Sequence, residues 1–269
     1  MGYLIICGGI NMSMFNYKRV AEGYANDRPS YHSMVMKRIR EELQICENFS
    51  CGLDVGCGSG SSTIALKEIC NEVIGIEESE EMLRVAKNKY KDENIYFLKC
   101  RAEDAPFRNN FFDVVTASGS VNWIEPHSFL PLVNGQIKKG GWFIIYDYSF
   151  VGRVNESECF DEWYNSEYLA MFPKPFRNEE KWDDALVHPY GFHSARQEKC
   201  FYTVTMNQRE FVNFIVTQTN VISAVEQGRK VIEDVYEWLD KSLSTIFSGE
   251  RKELLFEGYI WYLKNEKAS

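Results

Sequence analysis

The sequence lacks the features that would place the chain in a membrane or on a nucleic acid. No apolar run reaches the roughly 18 residues of a membrane-spanning helix, so we expect no membrane partner. The 30 basic residues form no dense cluster, and with 39 acidic residues they leave a net charge of −9. Because nucleic-acid binding depends on concentrated positive charge, we expect no nucleic-acid partner either.

The eight cysteines and four histidines lack the spacing of a metal site. No two cysteines form a C-x-x-C pair, and no nearby histidine completes a zinc-finger pattern, so we predict no bound metal. A chain of this length needs no disulfide staples, and residues 1–10 lack the basic start and cleavage site of a secretory signal. We therefore expect reduced thiols and a cytoplasmic protein.

Short apolar runs alternate with helical patterns along the chain. This alternation predicts an α/β fold with a doubly wound, mostly parallel seven-stranded sheet, in which ligands bind at the carboxyl ends of the strands. With neither internal repeats nor a low-complexity linker, we predict one domain made of an N-terminal arm (1–29), a ligand-binding core (30–150) and a remainder (151–269) that adds a lid and closing strands. The predicted strands are 51–55, 72–77, 94–100, 111–118, 141–148, 197–205 and 254–264.

The second half of the chain is less regular and rich in aromatic residues. From Phe160 to Phe192, including Phe176, nine of 33 residues are aromatic, against 14% for the whole chain. Because large apolar side chains can shape a cavity and exclude water, we predict a helical, aromatic lid over the substrate. The substrate-contacting candidates in this segment are Trp163, Tyr168, Trp182, His188 and His193.

One segment carries the pattern of a ligand-binding loop. Leu53–Gly60, written LDVGCGSG, ends a predicted strand and opens a predicted helix. Glycines allow a tight turn and a close approach of the backbone to a ligand. The third glycine comes one residue too early for the G-x-G-x-x-G fingerprint, which argues against NAD. Glu77 ends the next strand 21 residues after Gly56, where an acid can accept both hydroxyls of a ribose.

Four ordered motifs resemble the class I S-adenosylmethionine-dependent methyltransferases. They are the glycine loop, Gly75–Ser79 (GIEES), Ala102–Phe107 (AEDAPF) and Phe112–Val115 (FDVV). Tyr24–Tyr31 (YANDRPSY) is similar to the N-terminal segment of the type 11, trans-aconitate methyltransferase-like branch. The resemblance covers residues 24–148 and implies a Rossmann-like fold with S-adenosylmethionine as the cofactor.

The resemblance also implies how the glycine loop and the second strand bind the cofactor. The loop would run beside the methionine and ribose portions, and Asp54 would bind the amino group directly or through water. Glu77 would hold the ribose. Its neighbour Glu78 is a weaker candidate, because acids in a first helical turn also suit the helix dipole. The loop residues expected at the cofactor are Gly56, Cys57, Gly58 and Gly60.

Further cofactor candidates follow from the other motifs. The backbone N–H of Ala102 and the carboxylate of Glu103 would contact the adenine, and Ser118 would lie near the sulfonium. Tyr24 and Arg28 would close over the cofactor carboxylate.

Two positions depart from the pattern of the family. Relatives often carry Asp where this chain has Arg101, which weakens the adenine assignment. They also often carry His-Trp where this chain has Asn122–Trp123. The role of that histidine is therefore not transferred to Asn122. Of this pair, only Trp123 is kept as a substrate candidate.

These residues favour a methyltransferase that acts on a small molecule mainly by positioning it and excluding water. A carboxylate acceptor needs no general base, whereas a carbon, phenol or amine acceptor can need one. Two alternatives are an NAD-dependent oxidoreductase and a non-catalytic module that binds S-adenosylmethionine and acts through partners.

Overall fold

The computed structural model describes residues 12–154, 157–175 and 182–266. Residues 1–11 of the predicted arm and Phe176 of the aromatic-rich segment lie outside these ranges. Seven strands lie close to the predicted ones, although the fifth and the sixth are longer than expected. They are β1 (Phe49–Val55), β2 (Cys70–Glu77), β3 (Ile95–Lys99), β4 (Phe112–Ser118), β5 (Ile137–Val154), β6 (Phe192–Met206) and β7 (Lys252–Asn265).

Helices connect and cover the strands, and none in the described ranges has the length and apolar character needed to span a bilayer. The first ones are α1 (Lys18–Asn26), α2 (His32–Glu42), α3 (Ser61–Leu66), α4 (Glu80–Lys89) and α5 (Pro126–Gln136). The second half adds α6 (Glu158–Glu162), a π-helical segment (Trp163–Tyr168), α7 (Leu169–Met171), α8 (Asp184–Val187), α9 (Gln208–Ile215), α10 (Thr219–Glu226) and α11 (Ile232–Phe247).

All seven strands form one sheet in the order β3-β2-β1-β4-β5-β7-β6. Strands β1 to β5 pair in parallel, and β7 pairs antiparallel with both β5 and β6. The predicted Rossmann-like, mostly parallel fold is therefore confirmed. The chain winds outward from β1 to β3 and then returns to β4, which creates a switch point between β1 and β4. Such a point opens a crevice at the strand ends where ligands bind.

The aromatic-rich segment packs as core. Trp163 and Tyr168 are 3% and 1% exposed and belong to an apolar cluster between the helices of the second half and strands β5, β6 and β7. Trp182 is 4% exposed and packs on Phe129 and Phe143 beside the sheet. The structure therefore places these three predicted substrate candidates in the packed interior, for which aromatic density is equally typical.

Candidate functional site

A cavity of about 480 Å³ opens at the carboxyl ends of β1, β2, β4 and β5. We call one part the loop end, where the walls are Gly56, Cys57, Gly58, Glu77 and Ala102. We call the other part the aromatic end, where the walls are Tyr148, Phe150, Tyr202, Phe214 and Phe256. Because β2 and β6 lie on opposite sides of the central strands, the two ends face different parts of the sheet.

The glycine loop leaves space for a ligand at one position in particular. Gly58 has a φ of +53°, and a Cβ built on it would meet no atom within 4 Å. By contrast, a Cβ on Gly56 would lie 2.5 Å from the Cβ of Ser120, so this glycine is needed for packing. Gly60 does not line the cavity and packs against Phe97 and Tyr90. Gly58 is therefore where a ligand can approach the loop most closely.

Glu77 ends β2 with its carboxylate beside the loop, and the residue is only 7% exposed. Its Oε2 accepts the backbone N–H of Gly58 at 3.0 Å, and its Oε1 accepts that of Ser79 at 2.8 Å. Burial raises the pKa of Glu77, while these N–H donors counteract the rise. The backbone N–H of Glu78 also acts on the carboxylate. Because the two oxygens together offer about four acceptor positions, the carboxylate keeps capacity for hydrogen bonds from a ligand.

Asp54 lies behind the loop. It is fully buried and is absent from the cavity wall. Its Oδ2 accepts the hydroxyls of Ser62 at 2.6 Å and Thr63 at 2.7 Å, and its Oδ1 accepts that of Thr116 at 3.1 Å. Burial raises the pKa of Asp54 to about 6 despite these bonds. The side chain thus links the start of α3 to β1 and β4 by hydrogen bonds. It does not line the cavity, where the expected contact with a ligand's amino group would be made.

The adenine candidates lie at the outer side of the loop end. Ala102 and Glu103 line the cavity, as does the exposed Glu78. Glu103 is already engaged, because its Oε1 accepts the backbone N–H of Glu125 at 2.9 Å and its Oε2 lies 3.6 Å from the guanidinium of Arg101. Glu103 therefore has less free hydrogen-bonding capacity than Glu77.

Arg28 presents a positive charge to the cavity. Its Nε donates to Thr217 Oγ1 at 3.2 Å and its Nη2 to the Thr217 carbonyl at 2.6 Å. The guanidinium lies 3.8 Å from the ring centre of Tyr24. Within the described parts of the chain, no carboxylate pairs with Arg28. A guanidinium held in this way and still unpaired is suited to binding an anionic group of a ligand.

His32 is the histidine that lines the cavity, and the sequence did not point to it. Its Nδ1 lies 3.2 Å from the hydroxyl of Tyr146, and the neighbouring Tyr31 hydroxyl lies 3.5 Å from Ser118 Oγ. Burial lowers the pKa of His32 to about 4. The two predicted histidines, His188 and His193, are exposed and do not line the cavity.

Comparison with known proteins identifies the family. The Methyltransferase domain family matches residues 53–145. A demethylmenaquinone methyltransferase of Staphylococcus aureus (strain MRSA252) is 32% identical over 206 residues, which cover 74% of this chain and 83% of that protein. The chain belongs to the class I S-adenosylmethionine-dependent methyltransferases.

A second relative agrees with this assignment, and a solved structure shares the fold. A demethylmenaquinone methyltransferase of Staphylococcus saprophyticus is 28% identical over 206 residues, or 74% of this chain and 86% of that protein. A solved structure, a proposed type II methyltransferase from Anaeromyxobacter dehalogenans, superposes with a TM-score of 0.68 at 18% identity. This superposition covers 87% of this chain and 97% of the other, and it supports the shared fold.

The loop end of the methyltransferase fits S-adenosylmethionine, the methyl donor of the family. The open space at Gly58 accommodates a ligand without a clash, and the buried Glu77 carboxylate has unused lone pairs for hydroxyl donors. The unpaired Arg28 supplies a positive charge for a carboxylate. The donor set and the shape of the site therefore agree with the cofactor.

The cavity also gathers residues that the sequence did not reveal. The predicted cofactor candidates Tyr24 and Ser118 and the substrate candidate Trp123 do line it. The unpredicted wall residues are Asp147, Tyr148 and Phe150 on β5, Tyr202 on β6, Phe214 on α9 and Phe256 on β7. No local motif marks these positions, because they meet only once β6 and β7 have added to the sheet.

Proposed function

We propose that this enzyme methylates a small aromatic acceptor that carries a hydroxyl group, of the naphthoquinol type. The aromatic end of the cavity is the observation that carries the proposal. The rings of Tyr202 and Phe256 lie 4.9 Å apart, and those of Phe150 and Phe214 lie 6.1 Å apart. An apolar wall of this kind favours a flat, unsaturated ligand over a flexible polar one.

The names of the relatives give a second support. Both Staphylococcus proteins are named demethylmenaquinone methyltransferases, and each aligns over 74% of this chain. A demethylmenaquinone-like ring in its quinol form combines a flat apolar body with hydroxyl groups. Such a molecule suits the aromatic end, with polar contacts available from Ser118 and Asp147 at its border.

At the loop end, we propose that Glu77 accepts both ribose hydroxyls of S-adenosylmethionine while the backbone at Gly58 lies against the cofactor. Arg28 binds the carboxylate, with Tyr24 below the guanidinium. Ala102 contacts the adenine, with Glu78 and Glu103 at its edge. Asp54 acts indirectly by holding the first turn of α3.

The bound cofactor supplies an electrophilic methyl group on a positively charged sulfur. The chain orients the acceptor and keeps water away from the reacting atoms. The rings of Phe15 and Trp123, 5.3 Å apart, close one side of the cavity, while Phe214 and Phe256 close another. Well-oriented reactants reach effective molarities of about 10⁵–10⁸ M, so alignment can supply much of the rate acceleration.

The proposal is tested first by ligand binding and then by turnover. S-Adenosylhomocysteine should raise the melting temperature, since a ligand specific for the folded state stabilises it by about 2.7 kcal/mol at 100 times its Kd. NAD serves as the control and should cause no shift.

Methyl transfer from S-adenosylmethionine to short-chain demethylmenaquinol, followed by mass spectrometry, then tests the acceptor. A gain of 14 mass units, the mass of one CH₂ group, supports the proposal, and an unchanged quinol beside a methylated amine or carboxylate in a mixed panel contradicts it.

A further inference from the structure

His32 occupies a position in the cavity that neither cofactor binding nor the aromatic wall explains. It is the first residue of α2 and lies between Tyr31, whose ring centre is 4.4 Å away, and Tyr146, whose hydroxyl is 3.2 Å from Nδ1. Within the described ranges, Nε2 has no hydrogen-bond partner, and it is not fully buried. One ring nitrogen therefore has a partner, while the other is free on a residue that lines the cavity.

We propose that His32 is the general base that accepts the proton lost by the methyl acceptor, and that Tyr146 is the positioning residue that orients its ring. This inference rests on the proposed function, because only an acceptor that loses a proton requires a base. A carbon or phenol acceptor is of this kind.

The hydrogen bonds around His32 can hold the tautomer that a base needs. If Nδ1–H donates to the Tyr146 oxygen, Nε2 carries the lone pair. The Tyr146 hydroxyl can then donate in turn to Ser118, whose side chain interacts with it. Tyr146 is fully buried, so its hydroxyl does not form hydrogen bonds with solvent instead. In other enzymes, too, a fixed hydrogen-bond partner at one ring nitrogen orients the histidine whose other nitrogen reacts.

The proton balance of the step is consistent with this assignment. An electron pair of the acceptor, either a lone pair of a hydroxyl oxygen or a π pair at a ring carbon, forms the bond to the methyl carbon. The carbon–sulfur bond breaks with its electron pair remaining on sulfur. The acceptor's proton passes to Nε2, and its former bonding pair stays on the acceptor. His32 becomes an imidazolium as the sulfonium charge disappears, so the net charge of the cavity does not change during the reaction.

The surroundings of His32 then favour its return to the neutral form. The imidazolium is disfavoured by burial, which holds the pKa of His32 near 4, so the proton passes readily to water after the step. The ionisable groups around the ring are Tyr31 on the same segment and Tyr146 and Asp147 on β5, with Asp54 acting on Tyr146 from β1. The two aspartates act on the neighbouring tyrosines, whereas burial is the cause that lowers the pKa of His32 itself.

The experiment measures methylation of short-chain demethylmenaquinol by the full-length enzyme and its variants. His32→Ala should lower kcat at least about 100-fold, whereas calorimetry should give an unchanged Kd for S-adenosylhomocysteine. Added imidazole should restore a substantial part of the rate, which a merely structural defect would not allow. His193→Ala, which alters an exposed histidine outside the cavity, should behave as the wild type.

Tyr146→Phe provides a second variant that keeps the ring and removes the hydroxyl. It should lower kcat about tenfold with little change in KM, because the base is present but less well oriented. If the wild type methylates the quinol and His32→Ala retains more than a third of its kcat, the assignment of His32 is overturned while the proposed function stands. If the wild type methylates neither the quinol nor 1-naphthol, both the acceptor class and the role of His32 are wrong.

Discussion

The two ends of the cavity are assembled in different ways. The loop end comes from residues 56–102, which follow neighbouring parallel strands and meet at their carboxyl edge. The aromatic end comes from residues 148–256, carried by β5, β6, β7 and α9, with long helical segments between them. Parallel strands thus bring together residues that are close in sequence, whereas the antiparallel extension brings together residues that are far apart.

The chemistry of the two ends also differs. The loop end offers charged and backbone hydrogen-bonding groups, such as Glu77, to a ligand rich in hydroxyls. The aromatic end offers mostly rings, so it selects by shape and by the exclusion of water. Affinity for the cofactor and choice of acceptor should therefore respond to different substitutions, and variants can test whether this separation holds.

The largest effect is expected from Trp163, which belongs to the core and not to the cavity wall. Trp163→Ala should lower the free energy of unfolding by about 3–5 kcal/mol, because a large buried ring is replaced by a cavity. The folded fraction should bind S-adenosylhomocysteine with unchanged Kd. Denaturant unfolding and calorimetry measure the two quantities.

Trp123 is the matched control for Trp163, since it is only partly buried and lines the cavity beside Phe15. Trp123→Ala should cost less stability and should weaken ligand binding. If Trp163→Ala weakened binding more than Trp123→Ala did, the helical segment of Trp163 would belong to the site after all.

The next effect concerns Glu77. Glu77→Ala should weaken S-adenosylhomocysteine binding by about 2–4 kcal/mol, taking roughly 1.5–3 for each hydrogen bond to a charged group and allowing for non-additivity. It should also destabilise the unliganded fold, because the N–H groups of Gly58 and Ser79 lose their acceptor. Titration calorimetry and chemical unfolding would separate these losses.

Glu81 is a better control for Glu77 than the adjacent Glu78, which lines the cavity. Glu81 pairs with Arg84 at 2.9 Å on the exposed side of α4, and such surface pairs contribute little to the stability of the fold. Glu81→Ala should leave both measurements nearly unchanged. Equal losses from the two variants would mean that Glu77 is not the ribose ligand.

A somewhat smaller effect is expected from Asp54 as the pH changes. Its folded pKa of about 6 exceeds the ordinary value of 3.8, so the folded state holds its proton more tightly than the unfolded chain does. Stability is therefore lost as pH rises from about 4 to 6, by at most about 3 kcal/mol. Asp54→Asn removes this titration.

The stability of Asp54→Asn relative to the wild type should consequently increase between pH 4 and pH 7. Urea unfolding of the unliganded proteins at both pH values measures this difference. A difference that is constant with pH would show that Asp54 is ionised in the folded protein at both values, and that its three hydroxyl donors outweigh its burial.

The sequence predicted the local parts of the site and missed the non-local ones. The glycine loop and Glu77 follow strand ends, so their shared position depends only on strand order, which the alternating pattern reveals. Helix α4 is local in the same sense, because Ser79 caps it and Glu80 and Glu81 begin it.

The positions of the other candidate residues depend on tertiary packing. Asp54 was expected at the ligand, but its burial depends on hydroxyls from α3 and β4 that no local pattern reveals. Trp163 was expected at a lid, but a ring-rich helix packs equally well into a core. The placement of His32 depends on how α2 docks on β5, and this contact is between residues 114 positions apart.

The smallest predicted effect tests the contact that joins the two halves of the chain at the cavity. Thr217 lies between α9 and α10. Its hydroxyl accepts a hydrogen bond from Arg28 Nε, and its carbonyl accepts one from Arg28 Nη2. Thr217→Val removes only the hydroxyl, so Arg28 keeps its bond to the carbonyl. The affinity for S-adenosylhomocysteine should fall by about 0.5–1.5 kcal/mol, the net value of one hydrogen bond. Because the hydroxyl also bonds the Phe214 carbonyl, unfolding measurements must accompany the calorimetry. A loss of stability with unchanged affinity would mean that Arg28 anchors the N-terminal segment and does not bind the cofactor carboxylate.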